Sequence, residues 1–255
     1  MSTNRSNGSL YTNIENKIAT IEFGHPASNS FTLELLQRLT NTFNELSTNK
    51  ELAVIILKSE GERAFCAGAS FDELVAISNL VEGKEFFSGF ANVLNAMRTC
   101  TKPIIARIQG KTVGGGVGLA CACDYVYATV NASIKLSEIS IGIAPLVIAP
   151  AVERKIGKDG LSEMALHPME WKNAYWAKEK GLFSKVYESI NEMDKEIEFH
   201  TTKLASYNLE ALSIMKNVLW QGTEHWSSLL LERAELSGKL ALSKPTKEAL
   251  KKFKK

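Results

Sequence analysis

Three consecutive glycines, Gly114, Gly115 and Gly116, stand between an apolar run at Ile104, Ile105 and Ile108 and a small-residue stretch from Val117 to Cys123. The first run suits a buried strand and the second a core helix, so the chain must pass from strand to helix on residues without a Cβ. Such a turn leaves backbone N–H groups free at the positive end of the helix dipole, where an oxygen bearing negative charge is stabilised. This is the chemistry of an oxyanion hole. The same glycines would also let strand and helix pack closely with no ligand present, and the turn alone leaves both readings open. Nucleotide loops are excluded: a dinucleotide fingerprint from Gly114 needs glycine where Leu119 stands, and a phosphate loop from Gly110 lacks the Lys and Ser/Thr after its last glycine. A further strand and an isolated acid, Glu138, complete the stretch from Lys102.

The rest of the chain reads as layers around that unit. Loose alternation from Leu10 to Phe23 with Glu15-Asn16-Lys17 in the middle predicts a hairpin. Leu33, Leu36, Leu39, Phe43 and Leu46 recur at three and four, marking an amphipathic helix capped near Thr32, and Ala53 to Leu57 is an apolar strand. A glycine-punctuated loop, KSEGERAFCAGAS, then leads to a helix near Phe71, with Ser70 as cap and Glu73 completing a capping box. A helix from Glu82 to Met97 follows. Strand, glycine loop and helix thus occur twice, around Leu57 to Leu74 and around Ile104 to Cys123, as successive turns of one α/β spiral or sheet whose loops meet at one edge. From Ser162 the pattern is helical, with Gly181 as a C-cap and long helices over Met193–Ala205, Leu209–Trp220 and Glu224–Leu242. Their apolar faces must pack on the core or on another subunit.

Charge and cysteine usage narrow the function. Thirty basic against 28 acidic residues give a formal charge of +2, with no basic stripe outside the tail Lys251, Lys252, Lys254 and Lys255, so nucleic acid is not an expected partner. No run of about 18 apolar residues suggests a membrane span, and the polar start MSTNRSNGS has no apolar core, which makes the cytoplasm the expected location. Cys66, Cys100, Cys121 and Cys123 form neither a disulfide framework nor a zinc pattern, and the four histidines lack ligand spacing. Buried free thiols and no metal are expected. GASFD lacks the second glycine of a serine-hydrolase elbow, and nothing near Cys66 would lower its pKa.

Together, AFCAGA at 64–69, KPIIARIQGKTVGGGVGLACACDYVYA at 102–128 and LSEISIGIAP at 136–145 resemble the enoyl-CoA hydratase/isomerase superfamily, also called the crotonase family. The resemblance covers roughly residues 10 to 250, and GGGVGL with GIAPLVIAP is most similar to bacterial methylglutaconyl-CoA hydratase-type members. It implies a spiral of ββα turns with C-terminal helices that build homotrimers or dimers of trimers, an acyl-binding core over 1–195 and an oligomerisation region over 196–255. The implied ligand is a coenzyme A thioester bound as substrate, with no separate cofactor, in fatty-acid or amino-acid catabolism. Ala69 and Gly115 would each give one N–H to the thioester oxygen. The backbone at Phe65, Cys66, Ala67, Gly68 and Ser70, with Gly114 and Gly118, would line the path of the ligand.

Family hydratases use two glutamates, and Glu138 matches the second. The position of the first is Gly118, which has no carboxylate, so a substrate carboxylate, a bound anion or another side chain would have to stand in. Leu136, Ile139 and Ile141 could supply apolar surroundings that lift the pKa of Glu138 towards neutrality. The expected activity is that of a hydratase-type lyase on an enoyl-CoA, branched or carboxylated. A single-glutamate isomerase and a decarboxylase are the alternatives. A CoA-binding protein without chemistry is disfavoured because Glu138 and both loops are present.

Overall fold

A computed structural model of the chain describes residues 7 to 253; the first six residues, Lys254 and Lys255 lie outside the described residues. It opens with the hairpin β1 (Ser9–Glu15) and β2 (Ile18–Gly24), joined at Asn16 and Lys17. Both turn residues have positive φ, 50° and 66°, the geometry of a tight turn whose twist matches the strands it joins. Helix α1 (Leu33–Thr48) follows, its first turn closed by Thr32, whose hydroxyl accepts from Leu35 N–H.

Three strand pairs then repeat: β3 (Val54–Ser59) with β4 (Ala64–Cys66), β5 (Ile104–Ile108) with β6 (Lys111–Val113), and β7 (Tyr125–Thr129) with β8 (Ser133–Lys135). The first member of each pair joins a six-stranded sheet, ordered β1-β2-β3-β5-β7-β10, where β10 is Lys185–Tyr187. The second joins a smaller sheet ordered β4-β6-β8-β9, where β9 is Lys172–Asn173. Within each sheet these three neighbours run parallel, so every turn of the spiral advances one strand in both sheets at once. Sequence reading finds two of the three turns; the third lies in what reads as a single strand before Glu138.

Helices α2 (Phe71–Ala76) and α3 (Leu80–Thr99) follow the first turn of the spiral, α4 (Gly115–Ala122) the second, and a 3₁₀ turn (Glu138–Ile141) with α5 (Ala149–Leu166) the third. The capping box expected at α2 does not form. Ser70 caps Glu73 N–H, but the Glu73 carboxylate reaches 40 residues back to Leu33 N–H at 2.8 Å, tying α2 to the start of α1. An orphan N–H on a neighbouring helix outcompetes the local one because the Ser70 N–H is already bonded to Phe31 O.

The C-terminal part comprises α6 (Ala174–Glu179), α7 (Ile190–Ala205), α8 (Leu209–Leu219), α9 (Trp226–Ala241) and α10 (Lys244–Phe253). Helix α7 runs unbroken through position 195, where sequence reading divides core from helical region, and packs Met193 and Ile197 on the outer face of the large sheet. Helix α9 crosses α3 at Gly83 and Gly238, so closely that a methyl added to Gly83 would lie 2.9 Å from the Cα of Gly238.

Asp124, in the turn from α4 to β7, fastens α8 to this core. Its carboxylate accepts from Ile104 N–H at 2.7 Å, from Lys216 Nζ at 2.8 and 2.9 Å, and from Trp220 Nε1 at 2.7 Å. Lys216 is buried, so removing its charge leaves an unpaired carboxylate out of water. Lys216→Met is therefore expected to lower stability by about 3–5 kcal/mol in denaturant unfolding. An unchanged unfolding midpoint would mean that α8 is held by its apolar contacts alone.

Candidate active site

The three glycines of the turn each admit a different neighbour. A methyl on Gly114 would lie 2.7 Å from Glu138 Oε1, one on Gly116 would lie 2.6 Å from Cys66 Cβ, and one on Gly115 would overlap the Phe90 ring. Gly114 also has φ 51° and ψ −118°, a backbone that side chains strongly oppose. The missing side chains let a carboxylate, an aromatic ring and the first loop converge on the start of α4, so close packing does not exclude a role for the turn's N–H groups.

The first loop arrives at the same point. A methyl on Gly68 would lie 3.1 Å from Val113 O and 3.8 Å from Gly115 N. Neighbouring N–H groups are occupied: Gly68 donates to Cys66 Sγ, Ser70 to Phe31 O and Gly114 to Lys135 O. No acceptor among the described residues takes the N–H of Ala69 or Gly115. Both residues border one cavity of about 270 Å³, and Gly115 heads the eight-residue helix α4. Two free donors from separate loops thus flank one space, as a developing oxyanion requires.

Glu138 borders the same cavity from the 3₁₀ turn. Its Oε2 is shut off from solvent and has no hydrogen-bond partner among the described residues. Burial pushes the carboxyl up to about 7, with its own backbone N–H pulling weakly the other way. The apolar wall comes from Ile141, as the sequence suggests, and from Phe87, Phe90 and Ile143; Leu136 is buried but does not line the cavity, and Ile139 points outward and is exposed. A carboxyl that titrates near neutrality can both take and return a proton.

The remaining sequence candidates divide. Ala67 and Gly68 line the cavity beside Ala69. Phe65 and Cys66 are fully buried behind it, and burial pushes the Cys66 thiol up to about 12, so it is no nucleophile. Ser70 is spent on capping α2. Gly118 does not border the cavity: the Ile148 side chain occupies the place of any side chain there. The expectation that an anion or a substrate carboxylate could fill the space at Gly118 is thereby corrected. Sequence reading missed Phe90, Ile148 and Ser237, which face the cavity from α3, the approach to α5 and α9; only their apolar or small character was visible, not their direction. All four cysteines are free and buried, and among the described residues no group of three or more His, Cys, Asp or Glu is placed to hold a metal ion.

Native Glu138 keeps its proton up to about pH 7, whereas an ordinary glutamate releases it near 4.5. Between those values the native state binds the extra proton, so this group's contribution to stability falls as pH rises and is fully lost above about 7. Glu138→Gln should therefore gain stability relative to the parent on going from pH 4.5 to pH 8, by up to about 3 kcal/mol, in thermal unfolding. A constant difference across that range would show that the carboxyl is solvated.

The chain is similar to known proteins along nearly its whole length. The model of the enoyl-CoA hydratase/isomerase family matches residues 13–254. The short-chain-enoyl-CoA hydratase of Clostridium acetobutylicum is 26% identical over 242 residues, covering 94% of this chain and 92% of that protein. The human mitochondrial methylglutaconyl-CoA hydratase is 35% identical over a shorter 117 residues, 46% of this chain and 34% of that one. The crystal structure of an enoyl-CoA hydratase from Bacillus halodurans superposes with a TM-score of 0.89 at 22% identity, over 95% of this chain and 99% of that chain, which shows the shared fold. With its family match spanning nearly the whole chain and two glycine loops facing a buried glutamate, the chain belongs to the enoyl-CoA hydratase/isomerase family.

Proposed function

We propose that this enzyme moves a double bond along the acyl chain of a coenzyme A thioester, with Glu138 as the only acid/base and the N–H groups of Ala69 and Gly115 on the thioester oxygen. The carrying observation is Ile148 against Gly118: the place where a second carboxylate would stand is filled by a methyl-bearing side chain, and Glu138 is the one carboxylate lining the cavity among the described residues. In the forward step the Glu138 carboxylate takes a proton from Cα of a 3-enoyl thioester. The C–H pair moves into a dienolate whose charge rests on the oxygen held by the two N–H groups. The protonated Glu138 then returns the proton to Cγ, giving the 2-enoyl thioester with no net change in composition. No cofactor is required. A carboxyl titrating near 7 is suited to both halves of this shuttle.

Hydration is the second reading, supported by the names of the relatives above and by Lys135, the single cation lining the cavity among the described residues, which could pair with a carboxylated acyl chain. Glu138 alone would then activate water and protonate Cα. The two readings separate on a substrate panel. A 3-enoyl-CoA should isomerise and exchange its α-proton with deuterated solvent, whereas crotonyl-CoA should be hydrated at least about 10²-fold more slowly. Glu138→Gln should reduce isomerisation and exchange by about 10²-fold or more while acyl-CoA binding changes little. Fast hydration of crotonyl-CoA, or near-normal turnover of the Glu138→Gln variant, would overturn the single-carboxylate account. Gly118→Glu is no test by itself, since its side chain would collide with Ile148.

The proposal extends to assembly. Phe199, Tyr207, Ile214, Met215, Val218 and Leu219, on and between α7 and α8, are each more than 40% exposed, large apolar side chains of the kind a subunit interface covers. A homotrimer or a pair of trimers would cover them. Sedimentation should report such an assembly at micromolar concentration; a stable monomer would contradict it.

A further inference from the structure

We propose that Thr246, on the C-terminal helix α10, is a positioning residue for Glu138, acting through Gly142. The proposal rests on the assignment of Glu138 as acid/base. Glu138 begins a 3₁₀ turn that ends at Gly142, whose φ of 84° is left-handed. The Glu138 carbonyl accepts from the N–H of Gly142 and, at 3.1 Å, from the N–H of Ile143. Gly142 is thus the residue on which the turn closes.

Its own carbonyl is held from outside the loop. Thr246 Oγ1 donates to Gly142 O at 2.7 Å, across 104 residues of sequence. The fit is tight: a methyl on Gly142 would lie 2.6 Å from Thr246 Oγ1 and 2.8 Å from its Cα. Thr246 is fully buried, and its hydroxyl also pairs with Ser243 Oγ at 2.9 Å, where the chain enters α10. One hydroxyl therefore joins the start of α10 to the end of the turn that carries the carboxyl. Leu250, one turn further along α10, is buried in the main core and anchors the helix there. A carboxyl placed about 1 Å off its working position can lose about 10²-fold in rate, so a bond that fixes this turn bears on turnover rather than on binding.

Charged groups stand on four elements around the turn. On β8, Lys135 lines the cavity, with Nζ 4.5 Å from the Trp171 ring centre. On α10, Lys244, Lys247 and Glu248 are exposed. On α5, Glu153 pairs with Lys158, Arg154 bonds Leu219 O, and Lys155 bonds Cys123 O and Asp124 O. On α9, Arg233 bonds Leu146 O.

The test uses the full-length enzyme and isomerisation of a 3-enoyl-CoA, with α-proton exchange as a second measure. Thr246→Val, which keeps the shape and removes the hydroxyl, should lower kcat about tenfold or more with KM changed less than about twofold, and should move the pH limb assigned to Glu138 to lower pH as water reaches the carboxyl. Thr246→Ser should restore both. The same shift is read without turnover from stability: the pH-dependent gain on adding Glu138→Gln should shrink in the Thr246→Val background. If Thr246→Val does not fold, Ser243→Ala leaves Thr246 in place but removes the second partner of its hydroxyl, and should move kcat and the pH limb the same way by less. A folded Thr246→Val enzyme with parental kcat and pH limb, a Thr246→Ser variant as impaired as Thr246→Val, or an unmoved limb in Ser243→Ala would overturn the proposal. Normal turnover of Glu138→Gln would instead remove the acid/base assignment itself.

Discussion

Close approach to the start of α4 is the constraint on which the rest of the structure depends. At Gly114, Gly115, Gly116 and Gly118 the missing side chains are replaced by Glu138, Phe90, Cys66 and Ile148, contributed by four other parts of the chain. Any Cβ at these positions would push one of those neighbours away. The 3₁₀ turn, helix α3, the first loop and the approach to α5 are thus packed against a single eight-residue helix. The free N–H of Gly115 is a by-product of the same geometry, since the first residues of a helix have no partner within it.

Glu138 shows how that packing becomes chemistry. Its Oε2 is excluded from water without a compensating partner among the described residues, a state unfavourable for a carboxylate and therefore one that raises its proton affinity. An acid chosen for stability would be paired or exposed, as Asp124 is paired by Lys216 and Trp220 on the far side of α4. The two acids sit at opposite ends of one short helix and are handled in opposite ways. One is satisfied and holds the fold, and the other is left unsatisfied and faces a cavity.

The C-terminal helices are part of this arrangement. Helix α8 supplies the partner of Asp124, α9 crosses α3 at Gly83 and Gly238 and brings Ser237 to the cavity, and α10 bonds the turn that carries Glu138. Each of these helices therefore bonds or packs directly on the spiral.

By itself the sequence determined the local pieces and their chemical character. The hairpin at Asn16-Lys17, the cap at Thr32, the strand-to-helix turn at Gly114 to Gly116 and the apolar periodicity of α1 and α7 to α9 are set by short-range sterics and by spacing, which a linear reading captures. The motifs around Ala69, Gly115 and Glu138 likewise pointed to one family. Tertiary structure alone decided what lies across the gaps. The carboxylate of Glu73 bonds Leu33 N–H rather than closing a local box, Ile139 turns outward while Ile141 turns in, and Ile148 fills the space beside Gly118. The first and last of these depend on residues tens of positions apart competing for one hydrogen bond or one volume, and spacing along the chain carries no information about that competition.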